Sequence, residues 1–176
     1  MRHSMPKFLI STNWQFFSPD KGKLELPKKP KKLNDCFDDF AKEIREIFTM
    51  VHKENDKLRT ANKKILPPMH SPKGLFNQLV YQLGNDCSVH KRKKWKKFLI
   101  KQIEGKGGRI LPSQPGQGGN NIFFLWFRAL EHEELITKGP DISKRSRQLF
   151  YAHECRVSAE DLSGFIYQTG GGLPTN

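Results

Sequence analysis

Residues 121–127 read NIFFLWF, an asparagine followed by six consecutive large apolar side chains, Ile122 to Phe127. A run that is apolar at every position has no alternation; it suits a strand covered on both faces. Its Ile, Phe and Trp content favours the strand. Upstream, Arg109–Leu111 (RIL) can begin another strand. Between them PSQPGQGGN, residues 112–120, holds two prolines and three glycines, the composition of a mobile loop. The stretch 109–127 therefore predicts strand, loop, strand.

Immediately before it comes the densest charge in the chain, HKRKKWKKFLIKQIEGKGG from His90 to Gly108. Taking Ser88 as a cap and 100° per residue, Trp95, Phe98, Leu99 and Ile103 share one helix face, and Lys93, Lys97 and Lys101 form an i, i+4, i+8 row on the other. Glu104 is the only acid between Lys91 and Lys106, whereas an ordinary solvated face mixes its signs. Ser71-Pro72 supplies a cap and a proline at the first helical position for a preceding helix, lined by Leu75, Phe76, Leu79, Val80 and Leu83, with Gly84 as its expected stop. Further upstream Phe37, Phe40, Ala41, Ile44, Phe48 and Val51 recur at steps of three and four, with Asn34 or Asp35 placed to cap, and predict an amphipathic helix running toward Lys64.

The element order over Ser71–Phe127, two short helices followed by two strands around a flexible loop, resembles a winged-helix domain. The resemblance implies an α+β fold, a winged-helix-like core with a two-stranded wing and additional C-terminal helices. It also implies that the second helix meets a groove of nucleic acid and the wing its backbone. One feature departs from it: a wing strand should alternate apolar and polar, and Ile122–Phe127 does not. A mixed α/β domain with a central buried strand at 121–127 is the alternative, and an all-helical arrangement the third.

Outside this region, residues 1–33 read as an N-terminal arm. It contains a candidate β-hairpin (KFLIS, WQFF, SPDKGK, KLEL) and a stiff basic linker, PKKPKK, at 27–32. The globular domain is expected over 34–168. After Arg128, ALEHEELI, SKRSRQLFYAHEC and SAEDLSGFIYQ read as further helices with Ser143 and Ser158 as caps for the last two, and 169–176 as a flexible tail.

The 176 residues include 31 Lys plus Arg against 18 Asp plus Glu, a net charge of +13, and 36% hydrophobic residues with 13 Phe. A folded core carrying so large an excess of positive charge points to a polyanion. Cys36, Cys87 and Cys155 are too few and too scattered for a disulfide framework, and neither a signal peptide nor a membrane span is recognisable. An intracellular location, in cytoplasm, nucleoid or nucleus, is expected.

The expected function is nucleic-acid binding, DNA slightly ahead of RNA, with no membrane partner. The expected contacts are Lys93, Lys97, Lys101, Lys106, the guanidinium groups of Arg92 and Arg109, the linker lysines Lys28, Lys29, Lys31 and Lys32, and the loop backbone at Gly116, Gly118 and Gly119. Trp14 or Phe16, if exposed, would favour single strands. A basic RNA-binding subunit of a ribonucleoprotein assembly, with protein partners, is a related alternative.

No cofactor and no catalytic set is assigned, but three constellations touch chemistry. Glu104-Gly105-Lys106 fits the E-x-K half of a Mg2+-dependent nuclease site, with Asp86 and Glu43 or Glu46 as further carboxylates, although it falls at a helix end rather than on a strand. Cys87, His90, His153 and Cys155 have the donor types for Zn2+, if the fold gathers them. Arg147-Gln148 with His153 resembles the R-polar-x-H signature of a class of helical, metal-independent ribonucleases. There the histidine would serve as acid or base and the arginine would stabilise phosphate charge. For each, the plainer reading is an ordinary helix end, a core cysteine, or a basic helix face.

Overall fold

The computed structural model of the chain describes residues 37–61, 72–90, 92–110, 114, 116–130 and 139–169. These residues are 81% helical and contain no strand. The α+β expectation is overturned, together with the two-stranded wing and the central strand of the mixed α/β alternative.

The described residues form six α-helices in order: α1 (Phe37–Thr60), α2 (Pro72–His90), α3 (Arg92–Gly105), α4 (Ile122–Leu130), α5 (Gly139–Glu154) and α6 (Leu162–Gln168), with a short 3-10 turn, Gly118–Asn120, just before α4. The hub is α4, the segment expected to be a strand. It packs against α1, α2, α3 and α5, and Ile122, Phe123, Leu125, Trp126, Phe127, Ala129 and Leu130 are all buried. A helix apolar over most of its circumference is stable only when other helices cover that surface, and they do so here, leaving one face with Phe124 and Arg128 half-buried.

Trp126 lies with its ring centroid 6.5 Å from Phe37 and Phe40 of α1 and 5.7 Å from Trp95 of α3. Phe127 meets Phe76 of α2 at 5.7 Å, which in turn meets Phe48 of α1 edge-on at 5.0 Å. Phe123 stacks on Tyr81 of α2 at 5.6 Å and 18°.

Why the run folds as a helix is visible at Asn121. Its Oδ1 accepts hydrogen bonds from the N–H groups of Phe123 at 2.9 Å and Phe124 at 3.3 Å, which caps α4. Its Nδ2 donates to the carbonyls of Gly116 and of Ser146 on α5, each at 2.9 Å. The loop expected to be mobile is instead drawn inward. Gly116 and Gly119 are buried, and Gly116, at φ 75°, approaches Phe150 so closely that a Cβ there would lie 2.9 Å from the ring.

Two helix boundaries also differ from expectation. Gly84 does not end α2, which continues through it to His90, so Ser88 sits inside α2 and does not cap α3. Gly84 is needed for packing: a Cβ there would lie 2.3 Å from the Phe123 ring, so the missing side chain lets α4 cross close to α2. Ser143 likewise lies within α5, which starts at Gly139. Ser158 does not cap α6, whose N-cap position is Asp161; it closes the turn just before, its Oγ accepting from the Asp161 N–H at 3.1 Å and donating to Asp161 Oδ2 at 2.7 Å. The connection between α5 and α6 is fastened to α2, where Tyr81 Oη donates to the Val157 carbonyl at 2.7 Å and Gln78 Nε2 to the Ala159 carbonyl at 3.1 Å.

The hairpin, the linker, the caps Asn34, Asp35 and Ser71, the segment 131–138 and the tail from 170 lie outside the described residues.

Two substitutions test this architecture by denaturant unfolding. Asn121→Ala removes a cap and two buried hydrogen bonds made by a side chain that is 0% exposed, and should cost about 2–4 kcal/mol. Gly84→Ala gains up to about 1 kcal/mol of helix propensity yet forces Phe123 aside, and should be destabilising by about 1–2 kcal/mol net, with the loss reduced when Phe123 is also changed to Leu.

Candidate nucleic-acid interface

On α3 the amphipathic reading holds. Trp95, Phe98, Leu99 and Ile103 are buried, while Lys93, Lys94, Lys97 and Lys101 are exposed. Along the helix axis the row from Lys93 to Lys101 spans about 12 Å, eight residues at about 1.5 Å each. Neither Lys93, Lys97 nor Lys101 forms an ion pair with a described residue.

Lys106 behaves differently. Its Nζ is 3.2 Å from Asp38 Oδ1 and sits 5.5 Å from the centre of the Phe37 ring, so it fastens the end of α3 to the start of α1. Arg109 is exposed just beyond the turn that closes α3, where the Gly108 N–H donates to the Ile103 carbonyl and Gly107 to Glu104, each at 2.9 Å. The side chain of Arg92, the linker lysines 28, 29, 31 and 32, and the aromatics Trp14 and Phe16 lie outside the described residues.

The glycines do not form a phosphate cradle in a flexible wing. Gly116 and Gly119 are buried and Gly118 is half-buried in the 3-10 turn. Sequence reasoning missed the two polar residues that organise this turn. One is Asn121, whose signal was an N-cap residue placed directly before an apolar run. The other is Lys96, half-buried on the flank of α3, whose Nζ donates to Asn120 Oδ1.

Among the described residues, the catalytic and metal constellations are not gathered into one site, and no group of three or more His, Cys, Asp or Glu side chains is placed to hold a metal ion. Glu104 is exposed in the last turn of α3, Asp86 is exposed on α2, and Glu46 pairs with Lys42 at 3.9 Å; the Glu43 side chain lies outside the described residues.

Cys87 is a core residue, 0% exposed, whose Sγ accepts a hydrogen bond from Trp126 Nε1 at 3.3 Å. Burial pushes its thiol up to about 12 from an ordinary value of 9.0, the reverse of what a metal-binding thiolate requires. Cys155 is exposed after α5 and the His90 side chain lies outside the described residues.

Arg147 and His153 share α5 without sharing a site. Six residues apart, they point about 120° away from each other and are separated by about 9 Å along the axis. Arg147 is exposed, with Nε donating to the Ser143 carbonyl at 3.3 Å. His153 is half-buried, its Nδ1 2.9 Å from Asn85 Oδ1 and its ring edge-on to Phe123 at 5.9 Å.

Comparison with known proteins finds no matching family model, no matching curated protein and no matching solved structure. No described helix is long and apolar enough to cross a membrane.

The Cys87 environment has a direct readout. The raised folded-state value means that this thiol contributes to stability below pH 9 and loses that contribution as the pH climbs toward 12. In a Cys36→Ser/Cys155→Ser chain, Cys87 should resist a disulfide reagent at pH 8 and react only as the protein unfolds. Rapid native-state labelling would contradict its place in the core.

Proposed function

We propose that the protein binds nucleic acid through the phosphate backbone, with the Lys93, Lys97 and Lys101 row of α3 as its principal contact. The observation that carries this reading is the row itself: three exposed ammonium groups at one-turn intervals, paired with no described residue, in a chain of net charge +13. Each lysine that meets a phosphate releases condensed counterions, so binding is strong at low salt and weakens as salt rises.

Lysine ammoniums act as point charges without a directional fork, and such contacts position a duplex without reading its bases. The proposal is therefore for binding of low sequence specificity, which also suits a basic subunit of a ribonucleoprotein assembly. The slight preference for DNA rested on a wing, and without the wing it has no support. The nuclease alternatives have less to stand on, since Asp86, Glu104 and Lys106 are not gathered and Arg147 points away from His153.

The test is a salt titration of binding to duplexes by the parent chain and by a Lys93→Ala/Lys97→Ala/Lys101→Ala variant. The variant should stay folded, bind more weakly and show a log–log salt slope shallower by about 2–3. An equal slope in parent and variant would remove α3 as the contact.

A further inference from the structure

The α3 lysine row does not stop at the edge of its helix. Lys96 lies on the flank of α3, about 60° round from Lys93 and about 100° from Lys97. Its ammonium is bonded to Asn120, in the Gly118–Asn120 turn. The adjacent residue, Asn121, donates to the Ser146 carbonyl of α5, and Gly116 lies against Phe150 of the same helix. Three contacts thus join α3, the turn and the middle of α5.

On the side of α5 that these contacts define, the next residues round the helix from Ser146 and Phe150 are Ser143 and Arg147, both exposed, with exposed Lys144 beyond them. Arg147 Nε is held by the Ser143 carbonyl, which steadies the guanidinium, while its two terminal nitrogens bond no described residue. A guanidinium fixed at one nitrogen and open at the other two is suited to bidentate capture of a phosphate. Lys144 forms no ion pair with a described residue.

We infer that the phosphate-binding surface continues from α3 across the Gly118–Asn120 turn onto Lys144 and Arg147 of α5, and that its ligand is double-stranded RNA. The inference rests on the nucleic-acid reading above and extends it to a second basic ridge and a ligand class. Two ridges on helices that both pack on α4 and are bridged by the turn suit the two strands on either side of a groove. The α3 ridge, about 12 Å long, is long enough to meet more than one phosphate of one strand.

Between the ridges lie exposed uncharged side chains, Gln117 and Asn120 on a turn kept low by glycine and Ser143 on α5; Asn120 Oδ1 already accepts from Lys96, and the Ser143 hydroxyl is able to donate and accept. The wide, shallow minor groove of A-form RNA presents 2′-hydroxyls between its two phosphate strands and is read by shape, hydroxyl and phosphate contacts. Base stacking has no support from α3, whose aromatics Trp95 and Phe98 are buried, so the surface suits a duplex better than a single strand.

The experiment measures binding of the full chain to a short labelled RNA duplex, the DNA duplex of the same sequence and each single strand, across a salt series. The RNA duplex should bind tightest. A Lys144→Ala/Arg147→Ala variant, with helicity and melting unchanged, should bind it about tenfold more weakly with a salt slope shallower by about 1–2. Arg147→Lys should recover the slope and only part of the affinity, because the charge returns without the fork.

A parent that binds, an α3 triple variant that loses slope and an α5 variant that loses none would overturn the second ridge and leave α3 standing. Equal affinity for the DNA duplex or for a single strand would overturn the assignment to RNA. A parent that binds no nucleic acid at all would overturn the proposed function and this extension with it.

Discussion

A single buried carboxamide holds the fold in register. Asn121 has no exposed surface, yet it satisfies two backbone donors at the start of α4 and two carbonyls, one in the preceding turn and one on α5. A buried polar side chain is costly unless its hydrogen-bonding capacity is used, and here both ends of the amide are used. The result fixes where the apolar run begins its helix, how deep the glycine turn sits and how α5 lies against both. Without the cap, α4 would be a short aromatic-rich segment with weak helix propensity of its own.

From that point the side chains divide their labour cleanly. The aromatics of α1, α2 and α3 converge on Trp126, Phe127 and Phe123, and Cys87 is committed to Trp126 rather than to solvent or metal. Lys106 is used to join α3 to α1. Among the described residues, the exposed Lys93, Lys97 and Lys101 of α3 and Lys144 of α5 have no ion-pair partner, and it is this surplus that supports a functional reading.

The periodic helices could be read directly. The faces of α1, α2 and α3 were visible because three- and four-residue spacing of Phe, Leu and Trp has one physical meaning. The apolar run at 122–127 has no such spacing, and its β-prone composition led to a strand, since what decides it is burial of most of the run by helices outside it. Gly84 misled for a similar reason: a glycine that ends a helix and a glycine that admits Phe123 look alike until the neighbour is in place. Of the candidate interface, the lysine row was legible from spacing and sign. Lys96 and Asn120 were not, because their pairing depends on how the turn folds back. The ribonuclease-like Arg147 and His153 matched a pattern in sequence that the helical twist then separates.

The nine residues of α4 have a second life when the protein is not folded. A helix so short does not persist alone in water, and its six-residue apolar stretch carries no charge and no proline. Released from its neighbours, that stretch has the composition of a segment that pairs with copies of itself in extended form. The same sequence thus supports the native bundle and threatens solubility during synthesis and unfolding, and capture by Asn121 and the surrounding helices decides between them. Weakening the cap therefore does more than lower stability, because it lengthens the time for which a self-adhesive segment is exposed.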